Sequence, residues 1–573
     1  MGERFSFKIV FNQIGAGVYL SRLIKLIVIY LNKWRKIKLT ISKILSLCST
    51  LTINLFFQTI LNIMMNKIPL FFGFALLMLS CKTKKPMTAL IEMTDKTIAA
   101  STVNVNNIKS HIFYLASDEL KGRDTPSEGL NIAAKYLATS LMRYGVKPAY
   151  GEGVQGYYQN VPLVNVLPPT GGALKFGDFN LPLPDGFLMI RGENMEVESE
   201  MIFANRGTEE DLKGLDIKGK IVVVMCGFDG DENPQAWFFA GKEKRNAIKA
   251  AGGKALVEIY NNAQLPYNFL VRFLNSPQMK VDDGEEDKAN PFPHVWINGS
   301  NAEAVAKLRS ADGLKGSLKI EGMKNEKIKT QNIVGVLEGS DPKLKDEYII
   351  YSAHYDHVGI GRAVEGDSIY NGSRDNAVGS VTVLSAAENL AKYPTKRSAV
   401  FIFFTGEEKG LLGSSYYADH PAIPLEKMTY CFNSDNAGYN DTTKAMIIGL
   451  ERTLARPLIE KACTAFGLTA IQDNMPEQGL FDRSDNVNFA KKGVPAPTFG
   501  MGITKMDDEV NKYYHQPQDN PETLDYTYLT KFFKSYVYAC RLIGNTNESV
   551  FWIEGDKYYE DGLKLYNMEK VKD

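Results

Sequence analysis

The chain has 573 residues, of which 44% are hydrophobic, 23% charged and 11% aromatic, and this composition excludes disordered and collagen-like proteins. Its length predicts two domains. The formal net charge is zero, but ten Lys or Arg and one acidic residue precede Cys81, which leaves 56 basic and 65 acidic residues, a net charge of −9, from Cys81 onward. Because that charge repels phosphates, we expect no nucleic-acid partner.

Residues 64–81 have the pattern of a secretory signal peptide. A lysine precedes a 13-residue apolar core, Ile68–Ser80, which is too short for a comfortable membrane span. Leu79-Ser80-Cys81 also resembles a bacterial lipobox, in which Cys81 becomes lipidated, although Met78 stands where leucine is commoner. An uncleaved membrane anchor is the alternative.

Residues 1–63 contain apolar stretches without a domain pattern, and we interpret them as a start-site artefact or as a membrane segment. We expect an exported protein, lipid-anchored on the periplasmic or outer side of a bacterial cell envelope. A lipid anchor or the signal would be its one contact with membrane. Residues 82–109 are assigned to a linker, and 549–573 to a C-terminal tail.

The first helix predicted after the linker is amphipathic. Ala133, Leu137 and Leu141 recur at helical spacing, and Ile132 is placed on the same face. Gly145 stands where a helix C-cap glycine belongs.

The pattern of apolar and polar residues then changes over residues 172–325. Apolar strand-like runs such as "KIVVVM" alternate with helical patterns, and potential metal ligands are not concentrated here. We assign this segment to a smaller inserted domain, α/β or β-rich. The main domain would consist of 110–171 and 326–548.

Stronger apolar runs follow the insert: "NIVGVLEG", "EYIIYSAHYD", "SAVFIFFTGEE" and "TYCFNSDNAG". Helical patterns separate them, which predicts an α/β fold with a mostly parallel central sheet flanked by helices. His354, Glu407, Glu408 and Asp435 each follow the end of one run. Ligands bind at this edge of parallel sheets, beyond the carboxyl ends of the strands.

Two further motifs, "NGSRDNAVGS" with Asp375 and "YYHQPQDNPETLD" with His515, add to these strand-end residues. Imidazoles and carboxylates together suit two divalent ions about 3.5–4 Å apart. The adjacent Glu407 and Glu408 would otherwise repel each other. One of the pair would bind metal, and the other would accept a proton from an attacking water molecule.

Each motif alone has a structural alternative. The glutamate pair could form a solvated turn, Asp375 could cap a helix that begins near Val378, and Asp435 could be a turn residue. Their occurrence together favours the metal site.

The remaining polar candidates are weighed differently. His111, His294 and His420 are expected to be structural or surface residues. His357 is expected to support the site more than to bind metal. Asp519 would brace the His515 loop or form a turn.

The five motifs, in this order over about residues 110–545, resemble those of the co-catalytic zinc peptidases typified by bacterial leucyl aminopeptidases. Glutamate carboxypeptidase II and the transferrin receptor are more distant members. The inserted segment similarly resembles a protease-associated domain, whose role as a lid or a substrate filter stays open.

This resemblance implies a role for each matching residue. Asp375 would bridge two zinc ions, with Glu407 as general base and Asp356 orienting a histidine ligand. Manganese or cobalt could occupy the same ligands. The implied metal ligands are His354, Asp375, Glu408, Asp435 and His515.

The sequence departs from the family at two positions. Arg374 replaces an acidic residue that often precedes the bridging aspartate, and Asn486 stands where a histidine is frequent. Neither belongs to the ligand set, so the departures bear on substrate preference.

The implied function is hydrolysis of the first peptide bond of peptide substrates. A carboxypeptidase or dipeptidase of the same fold is the alternative, and it would need a cation such as Arg374 to hold a substrate carboxylate. Single-zinc glutaminyl cyclase chemistry fits the five ligands less well. A non-catalytic receptor is the alternative of another class, and in such a protein we would expect other residues at some of the metal-ligand positions. Oligomeric state and preferred side chain stay open.

Overall fold

The structure is a computed structural model of the chain, and it describes residues 94–230, 234–282 and 292–569. These residues lie within one compact unit, Met93–Asp573. The predicted segment 1–63 and the signal peptide 64–81 with Cys81 lie outside the described residues. None of the helices in the described part is both long and apolar enough to span a bilayer.

The described residues form fourteen α-helices, which we number α1 to α14. They are, in order, Asp95–Thr102, Val105–Leu115, Glu128–Tyr144, Glu209–Leu212, Pro234–Ala250, Tyr267–Leu274, Ala302–Arg309, Gly379–Lys392, Leu412–Asp419, Arg456–Ala465, Asn486–Ala490, Asp508–Asn511, Tyr526–Asn545 and Tyr559–Leu565.

The same residues form twenty strands, β1 to β20. They are Lys147–Pro148, Tyr158–Leu167, Gly171–Phe176, Phe179–Pro182, Phe187–Arg191, Met195–Phe203, Ile221–Met225, Ala255–Tyr260, Gln278–Val281, His294–Asn298, Asp312–Glu321, Lys324–Leu337, Tyr348–His354, Gly359–Val364, Asp367–Tyr370, Ser398–Phe404, Met428–Ser434, Lys444–Ile448, Thr469–Gln472 and Thr498–Met501.

The main sheet has ten strands in the order β19-β18-β20-β17-β13-β16-β12-β2-β9, with β1 paired to β12. Its central pairs β16–β13, β13–β17 and β17–β20 are parallel. In contrast, β12 runs antiparallel to both β16 and β2, as β18 does to β20. The prediction of a mostly parallel sheet is therefore wrong for the sheet as a whole, which is mixed, and holds for its centre.

The physical reason is that an apolar run reports burial and not direction. Ile333 and Val334 of β12 are fully buried although their strand is antiparallel to its neighbours. Helices cover both faces of the sheet, as predicted. Phe401 and Phe403 of β16 pack into the core under α3, α8, α10 and α13, whereas Ile402 packs into the core under α9 and α11.

A second sheet of eight strands occupies the segment that was assigned to an inserted domain. Its order is β4-β3-β11-β6-β7-β8-β10-β5, and β6, β7, β8 and β10 are parallel. It has its own core, which includes Val223, Val257 and Leu308. The boundaries of this domain and its assignment as a protease-associated domain stay predictions.

Helix α3 follows the predicted pattern except at one residue. Ala133, Leu137 and Leu141 are fully buried, and Gly145 ends the helix with φ of 86°. Ile132 is 39% exposed, so its placement on the buried face was wrong. Successive helical residues point about 100° apart, which turns Ile132 away from the face that Ala133 occupies.

The segments assigned to a linker and a tail are structured where they are described. Residues 94–109 contain α1 and the start of α2, and Arg541 of α13 forms an ion pair of 2.8 Å with Asp95. Trp552 is 1% exposed, and Asp556 pairs with Arg452 at 2.6 Å. These buried contacts hold both ends of the described chain against the main domain.

Candidate metal centre

Three neighbouring parallel strands deliver the site residues to one edge of the main sheet. His354 is the last residue of β13, Glu407 and Glu408 follow β16, and Asp435 follows β17. Gly406, with φ of 65°, turns the chain directly before the glutamate pair. The sequence prediction of their position is confirmed by these strand ends.

Asp375 reaches the same edge from the segment that leads into α8. The next residue, Asn376, donates from Nδ2 to the carbonyl oxygen of Ser434 over 2.9 Å and accepts the N–H of Gly379 over 3.0 Å. An added Cβ at Gly379 would lie 2.4 Å from that carbonyl oxygen, so this close approach requires glycine. Asp375 does not cap the helix with its side chain.

The two carboxylate oxygens of Asp375 face two different histidines. Oδ1 lies 3.2 Å from Nε2 of His354, and Oδ2 lies 3.0 Å from Nε2 of His515. Nε2 of His354 is also 3.1 Å from Asp435, and Nε2 of His515 is 3.3 Å from Glu408. Asp375 therefore lies between two groups of potential ligands.

We define these groups as the first and second clusters. In each, nitrogen and oxygen atoms lie within 4.8 Å of one another. Such imidazole and carboxylate donors, without thiolates, fit zinc and similar divalent cations. The first cluster is His354, Glu407 and Asp435, and the second is His357, Asp375, Glu408 and His515.

Electrostatics in the first cluster favour a cation. Burial by itself lowers the pKa of His354, but Glu407 and Asp435 hold that pKa well above its ordinary value. Burial and the nearby Asp435 raise the pKa of Glu407 well above its usual range. Buried carboxylates thus need positive charge beside them, which a divalent ion would supply.

The second cluster shows the same balance. Burial alone would raise the pKa of Glu408, but hydrogen bonds from His357 and His515 lower it to about 2. Burial likewise opposes protonation of His515, yet hydrogen bonds with Asp375 and Glu408 raise its pKa to about 10. Both clusters therefore favour the charge of a bound cation.

The carboxylate of Asp356 holds the glutamate turn. Its oxygens accept the N–H groups of Glu407 and Glu408 over 3.2 and 3.4 Å. Nδ1 of His354 lies 3.2 Å from the backbone carbonyl oxygen of Asp356 and 3.7 Å from its carboxylate. The imidazole is therefore closer to the backbone of Asp356 than to its side chain. Orientation of His354 by the Asp356 side chain stays a prediction.

His357 contacts a potential ligand directly. Its Nδ1 is 2.9 Å from Oε1 of Glu408 and 4.0 Å from Asp375. Its Nε2 is buried without a hydrogen-bond partner among the described residues. From the sequence, His357 was expected to support the site more than to bind metal, and its contact with Glu408 is compatible with that role.

The sequence reasoning missed a brace that the chain forms well before the matched motifs. Arg123 is 1% exposed, and its guanidinium donates to the carbonyl oxygens of Tyr355, Asn371 and Gly372 over 2.8, 2.7 and 2.9 Å, and to that of Leu115. The first three carbonyls belong to the loops that follow His354 and lead to Asp375, and Leu115 is the last residue of α2. Burial lowers the pKa of Arg123 to about 10, so it stays charged at neutral pH.

The next two residues contact the third loop of the site. Thr125 donates to Oδ2 of Asp356 over 3.2 Å and accepts the N–H of Gly406 over 3.2 Å. Asp124 forms an ion pair of 2.7 Å with Lys409. We call residues 123–125 the N-terminal brace.

Arg374 does not face the site cavity, so its assignment as a candidate for a substrate carboxylate was wrong. It is 2% exposed and forms an ion pair of 2.8 Å with Asp519. Its guanidinium also donates to Thr523 over 2.7 Å and lies 3.7 Å from the ring centre of Tyr513. The Asp519 carboxylate accepts the N–H of Arg374 over 2.8 Å, so it braces the Asp375 segment.

The other histidines lie apart from both clusters. His111 is buried and bonded to two tyrosines, and His294 is buried beside Glu258, 2.7 Å away. His420 is exposed. Asn486 is fully buried and donates to the carbonyl oxygens of Phe481 and Ala496, so it supports the fold of a loop.

A cavity of about 110 Å³ opens beside the clusters. Its lining combines acidic side chains with apolar ones, among them four methionines. Its lining includes the five potential ligands that the sequence indicated, together with Glu407, Met446, Ile448, Met475, Leu480, Arg483, Met501, Ile503, Met506 and Tyr514.

Comparison with known proteins finds a family model that matches the part of the chain that carries this edge of the sheet. Residues 332–539 match the model of Peptidase family M28. Aminopeptidase YwaD of Bacillus subtilis (strain 168) is 28% identical over 333 residues, which cover 58% of this chain and 63% of the relative. The probable leucine aminopeptidase 2 of Aspergillus oryzae is 27% identical over 285 residues, or 49% of this chain and 50% of the relative.

Among solved structures, the aminopeptidase from Aneurinibacillus sp. strain AM-1 matches with 20% identity and a TM-score of 0.49. The match covers 80% of this chain and 98% of that one. The chain thus spans between half and two thirds of the length of the two curated relatives.

Proposed function

Because residues 332–539 match Peptidase family M28, we propose that this protein is a zinc-dependent aminopeptidase that removes N-terminal residues from peptides. The observation that carries the proposal is the placement of Asp375, whose two oxygens face His354 and His515. A carboxylate in that position can bridge two ions. The named activities of the curated relatives agree with the proposal.

Five side chains would hold the two ions. His354 and Asp435 would bind one, Glu408 and His515 the other, and Asp375 both. Bound ions would polarise the scissile carbonyl and acidify a water molecule. His357 donates to Glu408 and would keep that carboxylate oriented toward the second cluster.

Glu407 would act as the general base. It lines the cavity, and the turn held by Asp356 fixes its backbone. The carboxylate would accept a proton from the attacking water and pass it to the leaving amine. The phenol of Tyr514 also lines the cavity, and burial raises its pKa, so it stays protonated and can donate a hydrogen bond to substrate.

The acidic residues that line the cavity favour the ammonium group of a free N-terminus. A carboxypeptidase is the second candidate, because one cation, Arg483, lines the same cavity. A non-catalytic binding protein is disfavoured, since it would not need a complete ligand set together with Glu407.

One short peptide, offered with a free and with an N-acetylated terminus, tests the assignment. Zinc-loaded protein should release the first residue from the free form alone, as identified by mass spectrometry. Release of the last residue from both forms would instead establish a carboxypeptidase. If neither form is cut and Glu407→Gln behaves identically, the protein is not a peptidase.

We extend the proposal to location and state that Cys81 carries a lipid that anchors the exported enzyme to the cell envelope. The lipobox-like sequence before Cys81 supports it. Metabolic labelling with a fatty-acid analogue should mark the expressed protein and should fail for Cys81→Ser. Equal labelling of both would contradict the anchor.

A further inference from the structure

We propose that Arg483 binds the free carboxylate of a short peptide, so that dipeptides are the preferred substrates. The proposal rests on the proposed function and names its substrate class. Arg483 lines the same cavity as the metal clusters, and the described lining contains no other Lys or Arg. The described lining thus presents both acidic groups and a single guanidinium.

The guanidinium of Arg483 is available to a ligand. It is exposed and makes no hydrogen bond or ion pair with any described residue. The carboxylate next to it in the chain, Asp482, is already engaged, since Lys557 lies 2.8 Å and Tyr558 3.2 Å from its oxygens. The carboxylate of Asp482 therefore already has partners other than Arg483.

The backbone that carries Arg483 is fixed, although its side chain is exposed. Arg483 ends a short 3₁₀ turn that begins at Leu480. Ser484, directly after it, accepts a hydrogen bond of 2.9 Å from the buried Asn433. Asn486 donates to the carbonyl oxygen of Phe481 over 3.2 Å, inside the same turn. A fixed origin limits the entropy that the side chain loses on binding.

Apolar side chains line the same cavity as Arg483. Met446, Ile448, Met475 and Met501 line it, and flexible methionine side chains adapt to different apolar shapes. A dipeptide can place its ammonium at the acidic groups, its first side chain against these apolar groups and its carboxylate at the guanidinium. Longer peptides carry their carboxylate out of the cavity.

A guanidinium distinguishes a carboxylate from a neutral amide. A guanidinium binds a carboxylate through two parallel hydrogen bonds, whereas a neutral amide offers one acceptor and no charge. At a partly exposed site this difference corresponds to about tenfold in affinity.

Binding is tested in zinc-loaded Glu407→Gln, in which we expect turnover to be slowed by about 10²- to 10⁴-fold. Calorimetry compares Leu-Ala with Leu-Ala-amide, with and without the further change Arg483→Gln. We expect the acid to bind about tenfold more tightly than the amide, and Arg483→Gln to bring the ratio near one. Arg483→Lys should keep part of the preference. A pentapeptide and its amide should bind equally.

Arg309→Gln is the matched control, because Arg309 is exposed on α7 in the other sheet's segment. Equal binding of acid and amide, binding of neither, or a preference that survives Arg483→Gln would overturn the proposal. Cleavage of Leu-Ala-amide by the protein with Glu407 intact tests the proposed function separately. If the protein does not cleave Leu-Ala-amide but still binds the acid more tightly than the amide, the proposed peptidase activity is wrong and the carboxylate site is retained.

Discussion

The guanidinium of Arg123 donates a hydrogen bond of 2.8 Å to the carbonyl oxygen of Tyr355, the residue between His354 and Asp356. Its other bonds reach Asn371 and the loop that leads to Asp375. One buried cation therefore joins two loops of the candidate metal centre. It comes from a part of the chain that precedes the matched family segment by about 200 residues.

Replacement of Arg123 should destabilise the protein and weaken zinc binding. Arg123→Met leaves several buried carbonyl oxygens without a donor, so the free energy of unfolding should fall by about 3 kcal/mol or more. Arg123→Lys keeps the charge but not the planar fork, and we expect an intermediate loss. Denaturant unfolding and zinc calorimetry measure the two effects.

A merely structural role would lower stability without changing the intrinsic affinity for zinc in the folded protein. The positioning role of Arg123 predicts that affinity falls as well, under conditions in which the variant remains folded. Arg309→Met provides the control, since its exposed side chain should change neither quantity.

Sequence pattern located the strand-end residues because their signal is local. His354, Glu407 and Asp435 follow continuous apolar runs, and the ends of adjacent parallel strands meet wherever such a sheet forms. The antiparallel strand β12 and the parallel strand β13 both contain continuous runs of buried apolar residues, however. Strand direction could therefore not be predicted from the apolar pattern.

Contacts between a side chain and backbone groups that are far apart in the sequence leave no comparable pattern of residue types. Arg123 binds carbonyl oxygens more than 230 residues away, and a carbonyl carries no residue identity. Arg374 was taken as a candidate for binding a substrate carboxylate. The sequence alone does not show that it pairs with Asp519, which lies 145 residues away in the chain. Arg483 was not singled out, because its place in the cavity depends on how the turn after Leu480 packs.

The bridging role proposed for Asp375 predicts an unequal response to two substitutions. Asp375→Asn should weaken both ion sites, so zinc content should fall from two ions per chain to below about one. His515→Asn should remove one ion and retain the other, because the first cluster is intact. Asparagine is chosen since His515 has φ of 51°, which it tolerates.

Elemental analysis after equilibrium dialysis counts the ions, and the exposed His420→Asn serves as control. Equal loss in Asp375→Asn and His515→Asn would contradict a bridging role for Asp375 alone. Retention of both ions in Asp375→Asn would remove it from the ligand set.

His111 makes stability depend on pH away from the site. Burial, with a contribution from Arg143, lowers the pKa of His111 from 6.5 to about 4. The unfolded chain therefore takes up a proton between these values, whereas the folded protein does not. Stability is fully present above pH 6.5 and is lost as the pH falls toward 4, by about 2 kcal/mol between pH 7 and 5.

His111→Gln should remove this part of the pH dependence, because an amide can still bond Tyr136 or Tyr144 and does not titrate. Denaturant unfolding at pH 7 and 5 measures the difference between wild type and variant. His420→Gln, at an exposed histidine, should leave the profile unchanged. Parallel profiles for wild type and His111→Gln would contradict the prediction.

Glu407 lies in the first cluster with His354 and Asp435, so its role as base must be separated from a role as ligand. If Glu407 acts on the water, Glu407→Gln should lower kcat by about 10²- to 10⁴-fold while zinc content stays at the wild-type value. If it is a ligand, zinc content should fall in parallel with activity. Peptide turnover and elemental analysis of the same sample decide between them, and Glu426→Gln, at an exposed glutamate outside the cavity, should change neither quantity.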